Sequence, residues 1–335
     1  MISPKLKKGD EVRIIAPARS MTLLSNETRE IATERFASLG LKVTFGKHVE
    51  DEVVFSSASV KSRLQDLHDA FRDPKVKGIF TVIGGFNSNP VIGGFNSNQL
   101  LSGIDYELIR KNPKVFCGYS DITALGNAFY AKAGLVTYYG PHFSTFGMRH
   151  GIEYTLDYLR KAVMENASIN VEPSKQWRDD PWYRDQEACN FITNSGHQVI
   201  RPGKAEGTVV GGNMCTLQLL FGTAYMPPLK DTIVFLEDDD EQPSTTAQNF
   251  DRDLQQLIQL PGFSGVRGIV IGRFCKASNL DDKIIKSIVT SKPELSSIPV
   301  MYGADFGHTT PCFTFPIGGK ARIDTAKKSI EILEH

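Results

Sequence analysis

A serine in the run Val-Phe-Cys-Gly-Tyr-Ser-Asp-Ile-Thr, residues 115–123, is the side chain best placed by its neighbours to do chemistry. Val115, Phe116 and Cys117 form an apolar run that reads as a buried strand. Gly118, Tyr119, Ser120 and Asp121 then turn sharply, and Ile122, Leu125, Phe129 and Tyr130 follow at helical spacing. A serine at a tight strand-to-helix turn stands at the carboxyl edge of a sheet. The helix amino terminus behind it offers backbone N–H groups to a developing oxyanion. Such turns also occur without chemistry, so the serine needs a base to take its proton and an acid to orient that base. Two later segments carry those residue types. The apolar run 233–236 ends abruptly in Glu237 and Asp238, and a carboxylate at a strand tip can be buried enough to hold an imidazole. The run Ala-Asp-Phe-Gly-His-Thr-Thr-Pro, 304–311, turns through small residues after an extended stretch and carries His308. The plainer readings are a solvated acidic face, since five acids run from Glu237 to Glu241, and a surface loop histidine.

These residues depend on the elements around them. Apolar runs at 12–16, 41–45 and 78–83 read as strands, as does the run at 115–117. Helical spacing marks 26–39, 59–71 and part of 100–110. Alternating strands and helices imply a parallel sheet with helices on both faces, and ligands collect beyond the carboxyl ends of such strands. Residues 172–186 are polar, lack periodicity and hold Trp177 and Trp182, the pattern of a long functional loop. From residue 207 strands (208–210, 232–236, 268–271, 300–302) alternate with helices (214–220, 245–260, 281–290), and 321–332 alternates like a hairpin. We read domains at 1–170 and 206–335, joined by an interdomain segment at 171–205; the second domain is mixed α/β. One irregularity lies between: residues 82–89 recur as 91–98, a tandem repeat too short for a solenoid. Added loop length of this kind costs little entropy.

Composition excludes several function classes. Lys plus Arg and Asp plus Glu each number 38, for a net charge of +0, which removes the electrostatic case for a nucleic acid polymer or an anionic membrane. No apolar run approaches the roughly 18–20 residues that cross a bilayer. The lysine-bearing start has no apolar stretch behind it, so no secretion signal is expected. Cys117, Cys189, Cys215, Cys275 and Cys312 are odd in number and lack metal-ligand spacing. They fit core positions in a reducing, cytoplasmic compartment, with no metal and no cofactor expected.

The ordered set G-G-x-N-S-N-x-L-L, G-Y-S-D-I-T-A-L, G-G-N, F-L-E-D and F-G-H-T-T-P resembles the LD-carboxypeptidase family of serine peptidases, from Pro4 to near the carboxyl terminus. The resemblance implies a flavodoxin-like amino-terminal domain, a smaller carboxyl-terminal domain with barrel-like strands, and a homodimer. It also implies a Ser-Glu-His triad, carried over to Ser120, Glu237 and His308. The oxyanion hole would use the N–H of Asp121 and a second N–H from the Gly-Gly turn. The repeat offers two such turns. Gly85 is favoured, because the first copy keeps the preceding strand whole; Gly94 is the alternative. Loss of one donor would remove about 2.7–4 kcal/mol of transition-state stabilisation. One branch of the family releases D-alanine from murein tetrapeptides. Another, the microcin C immunity carboxypeptidases, cuts between an aminoacyl group and a modified nucleotide, and carries an aromatic residue on a longer interdomain loop. Trp182 is nearest to that position and Trp177 is the alternative; both could instead pin the loop. Asn213 could hydrogen-bond substrate or cap a turn or helix. The expected substrate is a peptidyl-nucleotide or a small peptide. The rivals are an amidotransferase-like enzyme, which would need cysteine at the elbow, and a non-catalytic peptide- or nucleotide-binding protein.

Overall fold

The computed structural model describes residues 1–53, 56–85, 97–239 and 243–335. Its first sheet has six strands in the order Phe315–Ile317, Thr137–Tyr139, Val115–Gly118, Val76–Thr81, Glu11–Ile15 and Lys42–Phe45. All neighbours pair in parallel except Phe315–Ile317, which is antiparallel to Thr137–Tyr139. The inner strands are apolar without alternation because both faces are covered, and every residue of Val115–Gly118 is buried. On one face Phe36 stacks on Phe146 at 4.1 Å and meets Phe80 edge-on at 5.0 Å. On the other, Phe116 and Phe129 lie 4.8 Å apart. Helices Asn26–Ser38 and Val60–Arg72 begin where Ser25 and Ser59 accept hydrogen bonds from the N–H of Thr28 and Ser62.

The second sheet has eight strands. Its centre is parallel: Lys204–Asn213, Thr232–Glu237, Val266–Gly272 and Val300–Ala304. Antiparallel strands flank it, with Lys320–Asp324, Ser329–Glu334 and Ile169–Val171 on one side and Gln198–Arg201 on the other. Helices Thr246–Ile258 and Asp282–Thr290 follow two of the central strands.

The structure departs from the sequence reading in places. The third strand ends at Thr81, although Val82 still donates to the Ile15 carbonyl at 2.9 Å. Strand Thr137–Tyr139 and helix Glu153–Met164 were not read from the sequence. Within the 171–205 segment, Gln176–Trp177 pairs with Ile192–Thr193. Phe315–Ile317 crosses to the other sheet, and Phe315 sits 4.8 Å from both Tyr139 and Phe235, so the core runs continuously between sheets. Among the described residues no helix is long and apolar enough to cross a membrane, and the five cysteines are free.

A buried asparagine locks the sheets together. Asn127, on helix Thr123–Ala133, donates to the carbonyls of Thr123 and Gly211 at 2.8 Å each and accepts from the Gly211 N–H at 3.2 Å. This fixes the helix behind Ser120 against the strand that leads to Asn213. We expect Asn127→Ala to fold but to lose about 2 kcal/mol in urea denaturation, since it strands buried backbone groups. Unchanged stability would show that the lock contributes nothing.

Candidate active site

Ser120 follows the last residues of strand Val115–Gly118 and has φ of 57°, the left-handed region that a residue with a β-carbon enters at a cost of roughly 1–3 kcal/mol. A 3-10 turn, Ser120–Ile122, leads at once into helix Thr123–Ala133. Glu237 ends strand Thr232–Glu237, is 0% exposed, and pairs in register with Asn213 on the adjacent strand. His308 lies in the turn after Val300–Ala304. Gly307, with φ of 106°, lets that turn fold over the carboxylate, because a β-carbon there would come 2.5 Å from Glu237 Oε2. Two thiols secure the turn: Cys275 donates to the His308 carbonyl at 3.4 Å and Cys312 to the Thr309 carbonyl at 2.8 Å.

Three distant segments thus meet in one hydrogen-bonded chain. His308 Nε2 lies 3.0 Å from Ser120 Oγ, and His308 Nδ1 lies 2.8 Å from Glu237 Oε2. Tyr139 closes the arrangement from the first sheet. Its hydroxyl donates to Glu237 Oε1 at 2.5 Å and accepts from the Ser120 N–H at 3.2 Å. Sequence reasoning missed Tyr139. It ends a three-residue strand, and the only signal was an aromatic residue with a polar tip just before Gly140-Pro141.

Electrostatics tie the groups of this chain to one another. Burial acts to depress His308, but the charge and hydrogen bond of Glu237, with the charges of Asp239 and Asp238, prevail and push the imidazole up to about 10. Burial acts to raise Glu237, but the His308 charge and hydrogen bonds from His308, Tyr139 and Asn213 hold it below its ordinary value. Burial, then the charges of Asp239 and Glu237, push the Asp238 carboxyl well up. Burial and the Glu237 charge keep Tyr139 a neutral phenol.

The other sequence candidates divide. Asn213 is buried; its side-chain oxygen caps the Met214–Leu217 helix by accepting from the Thr216 N–H at 3.0 Å, and its amide donates to Asp238 Oδ1 at 3.3 Å. Gly84 packs on the serine: a β-carbon there would stand 3.1 Å from Ser120 Oγ. Gly85 packs on Asp121. Gly94 lies outside the described residues, as do 240 and 241 of the acid run. Trp177 lies face-on beneath Arg273 at 4.9 Å and Lys276 at 5.8 Å. Trp182 is half-buried and meets Tyr183, itself 66% exposed, edge-on at 6.0 Å. The loop carrying them is bridged to the histidine turn, with Arg178 and Thr310 exchanging backbone hydrogen bonds of 2.7 and 2.9 Å. Among the described residues no cluster of His, Cys, Asp and Glu could hold a metal ion.

Comparison with known proteins agrees across nearly the whole chain. The model for the LD-carboxypeptidase N-terminal domain matches residues 12–140, and that for the LD-carboxypeptidase C-terminal domain matches 206–323. YocD of Bacillus subtilis (strain 168), a carboxypeptidase by name with no substrate stated, is 50% identical over 97% of this chain and 96% of its own. The crystal structure of an MccF-like protein from Bacillus anthracis is 52% identical, covers 100% of both chains and superposes with a TM-score of 0.96. The structure of MccF in complex with glutamyl sulfamoyl guanosine is 28% identical, covers 99% of this chain and 98% of its own, and has a TM-score of 0.85.

Tyr139→Phe should leave the fold intact but deprive a buried carboxylate oxygen of its donor, lowering stability by about 1–3 kcal/mol in chemical denaturation. A variant as stable as the parent would show that this hydroxyl does not support Glu237.

Proposed function

As the chain belongs to the LD-carboxypeptidase family, we propose that it is a serine carboxypeptidase that hydrolyses the amide-type bond joining an aminoacyl group to a nucleotide. Such cleavage would inactivate microcin C-like compounds. The observation that carries this reading is the chain of contacts from Ser120 Oγ through His308 to buried Glu237.

In this mechanism neutral His308 takes the Ser120 proton on Nε2 as Oγ attacks the scissile carbonyl carbon. The oxyanion is held by the N–H groups of Asp121 and Gly85. His308 then gives its proton to the leaving nitrogen and the carbon–nitrogen bond breaks. A water loses a proton to His308 and attacks the acyl-serine, freeing the acid and restoring Ser120. Glu237 keeps the imidazole oriented and stabilises it when charged. Residues 1–170 carry the nucleophile, 171–205 the substrate loop, and 206–335 the acid and base. The family resemblance extends the proposal to a homodimer in the cytoplasm, where free cysteines stay reduced.

Two features support the nucleotide. One is the likeness to MccF, whose structure is known with an aminoacyl sulfamoyl nucleoside. The other is the aromatic tip of the loop. Two cations lie over the Trp177 ring, whereas Trp182 has Tyr183 as its ring partner, so Trp182 is assigned to stack on the base. Asn213 pairs in register with Glu237 at the strand end and, on the family resemblance, is assigned to orient substrate.

Ser120→Ala should abolish hydrolysis of an aminoacyl sulfamoyl adenosine, followed by chromatography of the released amino acid. Undiminished turnover would refute the mechanism. Release of D-alanine from a murein tetrapeptide, with none from the nucleotide compound, would move the enzyme to the cell-wall branch. Trp182→Ala should raise KM for the nucleotide compound about 5- to 150-fold, the equivalent of one base stack of roughly 1–3 kcal/mol, with little change in kcat. An unchanged KM would remove Trp182 from the site.

The pH dependence follows from His308. Its folded value is raised, so the resting imidazole is protonated at neutral pH and must lose that proton to act as base. The rising limb of kcat/KM should therefore lie above the ordinary histidine value of about 6.5. Glu237→Gln removes the largest of the opposing charges and its charged hydrogen bond, and should move that limb to lower pH while lowering kcat. A limb that stays in place would mean that Glu237 does not set the histidine.

A further inference from the structure

The repeated segment meets the candidate oxyanion site at both of its ends. Residues 86–96 lie outside the described part of the chain, but their flanks do not. On the amino-terminal side, Gly85 rests directly on the Asp121 side chain: a β-carbon at Gly85 would lie 2.2 Å from Asp121 Oδ2 and 2.6 Å from Cγ. On the carboxyl-terminal side, the Ser97 N–H donates to the same Oδ2 at 3.0 Å, and Ser97 Oγ donates to the Asp121 main-chain oxygen at 2.6 Å. Ser97 and Asp121 are fully buried. Beneath them, buried Arg63 feels the Asp121 charge and donates to Gln99 Oε1 at 2.8 Å and to the Pro17 carbonyl at 3.0 Å. Both flanks therefore converge on one carboxylate oxygen of the residue that follows the nucleophile.

The division of the repeat matters here. Gly84 and Gly85 belong to the first copy, 82–89, and Ser97 to the second, 91–98. Removal of residues 86–94 would join Gly85 to Phe95 and restore a single Gly-Gly-Phe-Asn-Ser-Asn run, with every described residue kept. Three Cα–Cα links then join Gly85 to Ser97, spanning up to about 10 Å. That reach is ample for two groups that touch one oxygen. Nine of the intervening residues are therefore not needed to span that distance.

We infer that the Asp121 carboxylate is a positioning residue that clamps the chain at Gly85 and at Ser97, and that the site works equally well in a chain from which residues 86–94 are excised. The inference rests on the proposed function in one respect, the use of the Gly85 N–H as an oxyanion donor. Asp121 then fixes both donors of the hole, one with its own backbone and the other through its side chain.

The test compares the full chain, the chain lacking residues 86–94, and Asp121→Ala. For each, kcat and KM are measured on an aminoacyl sulfamoyl adenosine, and amide hydrogen exchange is followed over residues 97–103. The shortened chain should match the full chain within about threefold in kcat and show the same slow exchange. Asp121→Ala should exchange about tenfold faster or more over 97–103. Its kcat should fall about 100-fold with KM nearly unchanged, because the donor it supports acts in the transition state. Asp121→Asn, which keeps an acceptor oxygen, should restore the slow exchange. A shortened chain whose kcat differs more than about tenfold in either direction would show that residues 86–94 are not dispensable and overturn that half of the inference, and slow exchange in Asp121→Ala would overturn the clamp. The excision arm decides even if Asp121→Ala does not fold. Absence of turnover in every protein, with the exchange pattern as expected, would refute the hydrolase reading and leave the clamp standing.

Discussion

A carboxylate shut away from solvent stays ionised only where protein groups replace its water. Glu237 is in that position, and the site is organised around meeting its demand. Its two oxygens receive the imidazole of His308 and the phenol of Tyr139, and Asn213 stands beside it on the adjacent strand. These partners come from the turn after Val300–Ala304, from the first sheet, and from strand Lys204–Asn213. Solvating one anion therefore holds both sheets in register with each other. Loss of any partner would leave a buried charge undercompensated, which is far costlier than loss of an exposed ion pair.

In the proposed mechanism the same anion sets the chemistry. By holding His308 in its charged form it stabilises the state that a base reaches after taking a serine proton. It also ties stability to pH. The raised imidazole contributes stability that is fully present below the ordinary histidine value and is lost as pH rises through about 10. Ser120 meets the other ring nitrogen from a strained elbow, and the strain persists because the elbow is over-determined. Tyr139 takes its N–H, Gly84 packs against its side chain, and Asn127 fixes the helix behind it. Gly307 and the thiols of Cys275 and Cys312 do the same for the histidine turn.

Much of this was legible in the sequence because it is local. An apolar run ending in Gly-Tyr-Ser-Asp and another ending in Glu237 announce strand tips, and strand tips of a parallel sheet share an edge. The extended run before His308 places it on the second such edge. Pairings decided by distant contacts were not legible. Tyr139 looks like an ordinary core aromatic because its strand is three residues long, and its role arises only from the approach of Glu237, 98 positions away. Phe315–Ile317 follows the histidine turn yet completes the first sheet, which no periodicity in so short a run could reveal. The acid run read as a solvated face, but Asp238 and Asp239 are buried with Glu237 because the strand end is covered by the Gly307 turn and the Asn213 cap. Trp182 was favoured over Trp177 by its position in the sequence alone; the cations over the Trp177 ring are a difference between them that the sequence did not show.

The claim on which the rest depends is that Glu237 is an interior anion bound to His308. Nitrogen-15 NMR of labelled histidine, titrated in the resting protein, reads this without substrate. The account predicts that the His308 ring titrates well above about 6.5, with both nitrogens protonated at neutral pH. A His308 signal that titrates at or below that value, with a neutral ring at pH 7, would contradict it.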